Sequence, residues 1–208
     1  MRRLLFVIVI LVLFLFFAFN AKASILDELP GPEIMPDSPF YFLKVWYEKI
    51  VTFLSFGDAR KAERYSKLAE RRLQEAEKMV EKGEDKLTEK LLEEYEKFVN
   101  KAFKRAEKLT REAEEKAKEE LKEKANQVLE KVSESTFKNQ KVLLKIYKLV
   151  PDEAKEAIEG VIEITKIGYE RAVDAFSGIR KEELKQRIEE LKESAKGLIN
   201  GWETIFGE

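Results

Sequence analysis

Residues 85–132 read DKLTEKLLEEYEKFVNKAFKRAEKLTREAEEKAKEELKEKANQVLEKV. In this stretch Leu91, Leu92, Tyr95, Phe98, Val99, Ala102, Phe103, Ala106, Leu109, Ala113, Ala117, Leu121, Ala125, Val128, Leu129 and Val132 recur at steps of three and four. That spacing keeps one face of an α-helix apolar for many turns, so the stretch predicts a long, coiled-coil-like helix. Between Glu107 and Lys124 the apolar stripe thins to alanines among dense lysine and glutamate. Glu112 with Lys116 and Glu120 with Lys124 are i,i+4 pairs, each supporting an isolated helix by about 0.2–0.5 kcal/mol. Small residues along the stripe imply close helix contact or a partly exposed projection rather than a deep core. Whether this helix projects or folds back is left open by the pattern.

The same period extends outward in both directions. Upstream, Leu68, Leu73, Ala76, Met79 and Val80 mark a helix that Asp58 caps and Gly83 ends as a left-handed C-cap. Downstream, Ser133-Glu134-Ser135-Thr136 weakens the helix locally, because short hydroxyl side chains compete for backbone hydrogen bonds, and the pattern allows a bend or a continuous passage there. Phe137, Val142, Leu143, Ile146, Tyr147 and Val150 then continue a buried face. Pro151 stops that run and opens another helix carrying Ile158, Val161, Ile162, Thr165 and Ala172. A last amphipathic helix over about residues 181–206 carries an aromatic tip at Trp202, Ile205 and Phe206. No run alternates with a period of two, so no sheet is expected.

The N-terminus has a different character. Arg2 and Arg3 precede an uninterrupted apolar segment, Leu4–Phe19, and Ala21-Lys22-Ala23 is a small-x-small cleavage pattern. That is the layout of a signal peptide, although the segment is close to the length of a membrane anchor. Residues 1–23 are therefore assigned as signal peptide or anchor, 24–35 as linker, and 36–208 as the helical domain. In either case the body is expected outside the cytoplasm, secreted, periplasmic or anchored by residues 4–19. The predicted fold class is an all-α antiparallel helical bundle with one or more long coiled-coil-like helices, preceded by an N-terminal hydrophobic signal or anchor helix.

Composition narrows the chemistry. The chain has 39 basic and 40 acidic residues, and loss of Arg2, Arg3 and Lys22 on cleavage would take its net charge from −1 to −4. This mixed balance lacks the basic stripe of a nucleic-acid binder. With no histidine and no cysteine, the commonest general base, thiol nucleophile and disulfide staples are absent. A Glu-x-x-His di-iron site is impossible, and no glycine-rich phosphate loop occurs. No enzyme activity, cofactor or metal is expected.

Met35-Pro36-Asp37-Ser38-Pro39 starts the folded body sharply, with Asp37 or Ser38 as cap and Pro39 in the first helical position. The helix that follows, Phe40 to Leu54, is apolar around much of its circumference. Such a helix is usually buried, so it is expected to fill a groove of its own bundle. The functional alternative makes it a membrane-surface or partner-docking helix, held close to the bilayer by a short linker. The candidate contact residues are then Phe42, Trp46, Tyr47 and Phe53, with Trp202, Ile205 and Phe206 at the C-terminal tip, since Tyr and Trp are favoured interface anchors.

The opening Met35-Pro36-Asp37-Ser38-Pro39-Phe40-Tyr41-Phe42-Leu43-Lys44 resembles that of an exported prokaryotic all-helical domain family of unknown function. The segment Val150-Pro151-Asp152-Glu153-Ala154, followed by Gly168-Tyr169-Glu170-Arg171-Ala172, is similar to that family's C-terminal helical pair. Phe40 departs mildly from the family's aliphatic residue, and Asn139 stands where its relatives are associated with histidine. The resemblance implies an exported, all-helical domain, and it transfers no activity. The expected function is a non-enzymatic exported or membrane-tethered protein mediating protein–protein interaction or self-assembly in the cell envelope. Its partner would be another exported protein or a second copy, and not a nucleic acid. The alternative is a bundle that binds a membrane surface or holds an apolar ligand among Phe98, Phe103, Phe137 and Tyr147.

Overall fold

The computed structural model describes residues 34–116, 118–174, 181–186 and 189–190. All regular structure among them is helical: α1 (Tyr41–Leu54), α2 (Asp58–Glu81), α3 (Asp85–Lys116), α4 (Glu119–Leu149) and α5 (Asp152–Asp174), with residues 181–186 also helical. The apolar residues picked out by their spacing form one core, including Leu73, Met79, Leu91, Tyr95, Leu129, Leu143, Ile146 and Ile162.

Cross-helix pairs fix the helix directions. Asp58 meets Arg105 and Lys108 while Arg72 meets Glu94, so α2 and α3 are antiparallel. Lys131 meets Glu63 and Lys145 meets Glu77, so α4 runs parallel to α2. Tyr147 meets Glu159 and Phe137 lies beside Tyr169, so α5 returns antiparallel to α4. The α2–α5 chain path is therefore up-down-up-down, as short connections favour. Helix α5 packs on α3 and α4, away from α2.

The α2–α3 turn is a Schellman closure. Gly83, at φ +74°, donates its N–H to the Val80 carbonyl, and Glu84 donates to the Met79 carbonyl. At the α4–α5 junction Val150 is extended, as a residue before proline should be, and the Pro151 carbonyl accepts from the Ala154 N–H.

Two expectations about continuity are resolved. The run over 85–132 is two helices: α3 ends at Lys116 and α4 begins at Glu119, with Lys118 in an extended conformation. The alanine stripe serves the fold-back, since Ala113 and Ala125 are buried near the turn where a larger residue would hold the backbones apart. Ser133–Thr136, in contrast, lies inside continuous α4. The Ser133 hydroxyl donates to the Leu129 carbonyl, four residues back, and so is satisfied without breaking the helix.

Close approach occurs again where α5 crosses α3. A Cβ built on Gly168 would lie 2.6 Å from Phe103 Cε2 and 2.7 Å from its Cδ2. Overpacking costs about 1–3 kcal/mol, against about 0.8–1 kcal/mol that alanine gains over glycine in a helix. We therefore expect Gly168→Ala to lower stability by about 1 kcal/mol in urea unfolding, and Phe103→Leu in the same chain to recover part of that loss. A gain in stability from Gly168→Ala alone would show that the two helices do not meet this closely.

The N-terminal end of α2 is tied to α3 by charge. Asp58 is its first residue, where a carboxylate complements the helix dipole. Its Oδ1 lies 2.6 Å from Arg105 Nη1 and its Oδ2 2.7 Å from Lys108 Nζ. The Lys108 hydrogen bond, with that of Arg105, outweighs burial and holds the carboxyl below its ordinary value. A depressed carboxylate adds stability above the unfolded value, near 3.9, and that contribution is lost as pH falls through the folded value. The urea midpoint should therefore fall below about pH 4, and Asp58→Asn should make that fall shallower. An unchanged slope in the Asp58→Asn chain would remove Asp58 from the acid transition.

Candidate docking surface

Helix α1 is mounted with its polar side inward. Lys44, Glu48 and Val51 are its buried residues, at steps of four and three, and Tyr41 is half-buried one turn before Lys44. They face α2, whose side toward α1 carries Arg71, Arg72 and Glu75. Arg72 and Glu75 are 1 % and 0 % exposed.

These side chains form a closed network. The Arg72 guanidinium reaches Glu75 Oε2 at 2.5 Å through Nη1 and Glu94 Oε2 at 2.8 Å through Nε, and it pairs with Glu48 through Nη2. Lys44 Nζ lies 2.5 Å from Glu75 Oε1 and donates to the Ile34 carbonyl at 3.2 Å. The Tyr41 hydroxyl donates to Glu75 Oε2 at 2.7 Å, and Arg71 Nη1 to Glu48 Oε1 at 3.1 Å. Three cations, Lys44, Arg71 and Arg72, thus balance three anions, Glu48, Glu75 and Glu94. Burial alone would lower the Arg72 pKa; Glu75 and Glu48 more than offset it, and the group stays charged. Burial drives the Tyr41 phenol well above its usual range, so it stays a neutral donor.

The opening residues hold the start of this helix. Residues 36–40 form turns, and α1 starts at Tyr41, two residues beyond the position of Pro39. The Ser38 hydroxyl accepts the Phe40 N–H at 3.3 Å. Asp37 reaches across to Lys82, at the C-terminal end of α2, at 2.6 Å.

With Lys44 and Glu48 turned inward, α1 turns a largely apolar side outward, on which Lys49 is exposed. Phe42 and Trp46 are each 64 % exposed and Phe53 79 %; Leu43 is also exposed, and Phe56, 72 % exposed, extends the face past the helix end. Tyr47, the fourth candidate contact on this helix, is half-buried at the edge. The expectation that α1 fills a groove of its own bundle is corrected. The α2 surface it covers offers buried Arg72 and Glu75, which only charged or hydrogen-bonding partners can satisfy, so an aromatic face turned inward would strand them. The other candidate contacts, Trp202, Ile205 and Phe206, lie outside the described residues.

The residues considered for an apolar ligand are occupied by packing. Phe103 meets Gly168, Phe98 stacks on Tyr65 at 6.1 Å between centroids, and Phe137 lies 6.0 Å from Tyr169. The Tyr147 hydroxyl donates to Glu159. Asn139 is buried beside Tyr95. Among the described residues no group of three or more acidic side chains is placed to hold a metal ion.

The inward network escaped the sequence reading, although a signal for it was present. Tyr41, Lys44 and Glu48 share one helical face, and Arg72 and Glu75 share another three residues apart. A polar face on an otherwise greasy helix, set against a paired polar face on its neighbour, is the pattern of a buried charged seam.

The model of the family described as a domain of unknown function (DUF5667) matches residues 33–153, more than half of the chain. Neither a curated protein nor a solved structure matches.

Proposed function

The chain belongs to the DUF5667 family, and from that premise we propose that it is a non-enzymatic docking module of the cell envelope. The bundle α2–α5 is the stand, and the outward face of α1 is the contact surface. One observation carries this reading: α1 buries Lys44 and Glu48 while leaving Phe42, Trp46 and Phe53 in solvent. Burying ions costs several kcal/mol each before pairing, and exposing aromatics forgoes burial worth about 1.5–3 kcal/mol per side chain. An arrangement that accepts both makes sense when the aromatic face has something else to meet. The apolar segment Leu4–Phe19 supports placement of the body outside the cytoplasm, and the lack of histidine and cysteine supports a role without catalysis.

The test is photo-cross-linking in cells, with a photoreactive residue at position 46 and a control at exposed Gln74 on α2. The reading expects adducts from position 46 well above those from position 74. Equal yields from the two positions would overturn it.

A further inference from the structure

We propose that the surface met by α1 is the interfacial region of a lipid bilayer, entered by its aromatic face without help from lipid charge. The inference rests on the docking reading above and names its partner. Phe42, Leu43, Trp46 and Phe53 are exposed on the outward side of α1, and Phe40 and Phe56, also exposed, flank the helix at its two ends. Phenylalanine and tryptophan on one side of a helix suit the boundary between headgroups and acyl chains. Lys49, exposed between Trp46 and Phe53, is long enough to raise its ammonium to the headgroups while its stem stays with the aromatics.

The inward charges of α1 are consumed within the molecule. Lys44 and Glu48 are paired with Glu75, Arg72 and Arg71, so they offer nothing to select a protein partner or an anionic lipid. Protein interfaces of useful size carry about one hydrogen bond per 100–200 Å², and the side-chain donors this face offers are the Trp46 indole N–H and Lys49. A bilayer asks for no such set of hydrogen bonds.

The chain outside the described residues points the same way. Leu4–Phe19 is 16 apolar residues without interruption, and residues 20–40 separate it from α1. Even fully extended, those 21 residues reach only about 70 Å. Insertion of Leu4–Phe19 in a bilayer would keep α1 close to that surface, where weak apolar docking becomes effective through local concentration.

The full chain carrying Trp202→Phe leaves Trp46 as its one tryptophan. It would be reconstituted in phosphatidylcholine vesicles, with and without brominated phosphatidylcholine, and its Trp46 emission followed with acrylamide as aqueous quencher. The proposal expects several-fold protection from acrylamide together with quenching by the brominated lipid, both unchanged between roughly 0.1 and 1 M NaCl, where surface charge is screened. Loss of the lipid quenching at high salt would overturn entry without charge. Protection from acrylamide without lipid quenching would mean that a second copy covers the face; it would overturn the bilayer while leaving the docking reading intact. Trp46 open to acrylamide and unquenched by lipid would overturn the bilayer, while the cross-linking from position 46 in cells decides the docking reading.

Discussion

Replacing Arg72 with methionine should lower the unfolding free energy by about 3–5 kcal/mol, read as a shift of the urea midpoint. The volume is nearly kept, so the loss comes from charge. Glu48 and Glu75, both buried, would lose their shared cation, leaving Lys44, the Tyr41 hydroxyl and the half-buried Arg71 as their remaining partners. Converting Glu48 to glutamine in the same chain should recover part of the loss, because the amide no longer needs the guanidinium while Glu75 keeps Lys44 and the Tyr41 hydroxyl. Amide hydrogens of α1 should exchange faster in the Arg72→Met chain than those of α4, since the network is what fastens α1 to α2. A loss below about 1 kcal/mol would place the network in water rather than in the protein interior.

The second large effect separates docking from folding. Trp46→Glu with Phe53→Glu removes two aromatic side chains that the bundle hardly covers. Stability should stay within about 0.5 kcal/mol of the parent chain, as for most surface substitutions. Association with the docked surface should weaken by about 3 kcal/mol or more, on the order of a hundredfold, because each aromatic gives up about 1.5–3 kcal/mol of burial. Vesicle co-sedimentation of residues 24–208, which lack the Leu4–Phe19 segment, beside urea unfolding of the same chain reads the two quantities. A matched loss in both would mean that these side chains hold the bundle together.

Much of the bundle was legible because periodicity and chain punctuation act locally. The apolar steps from Leu91 to Leu109 become the buried face of α3, Gly83 closes α2, and Pro151 separates α4 from α5. The fold-back near residue 118 was not legible. Neither glycine nor proline marks it, and tertiary packing of α4 against α2 and α3 overrides a local sequence that favours continued helix. The orientation of α1 was hidden for a related reason. Its apolar residues outnumber its polar ones, and apolarity by itself predicts burial. The deciding fact lies on α2, where Arg72 and Glu75 look like ordinary surface charge until a second helix covers them. Which side of a helix is buried depends on the chemistry of the surface opposite. Of the candidate contacts, Phe42, Trp46 and Phe53 stand together on the open face.

The central claim is that α1 turns its aromatic side to the environment and that the environment covers it. The chain has no cysteine, so a single one can report on a single position. Trp46→Cys, Phe53→Cys and the control Gln74→Cys each place a thiol at an exposed site of the bundle. Their rates of maleimide labelling would be compared in native membranes. We expect positions 46 and 53 to label several-fold more slowly than position 74. Equal rates at all three positions would show a bare face and contradict the account.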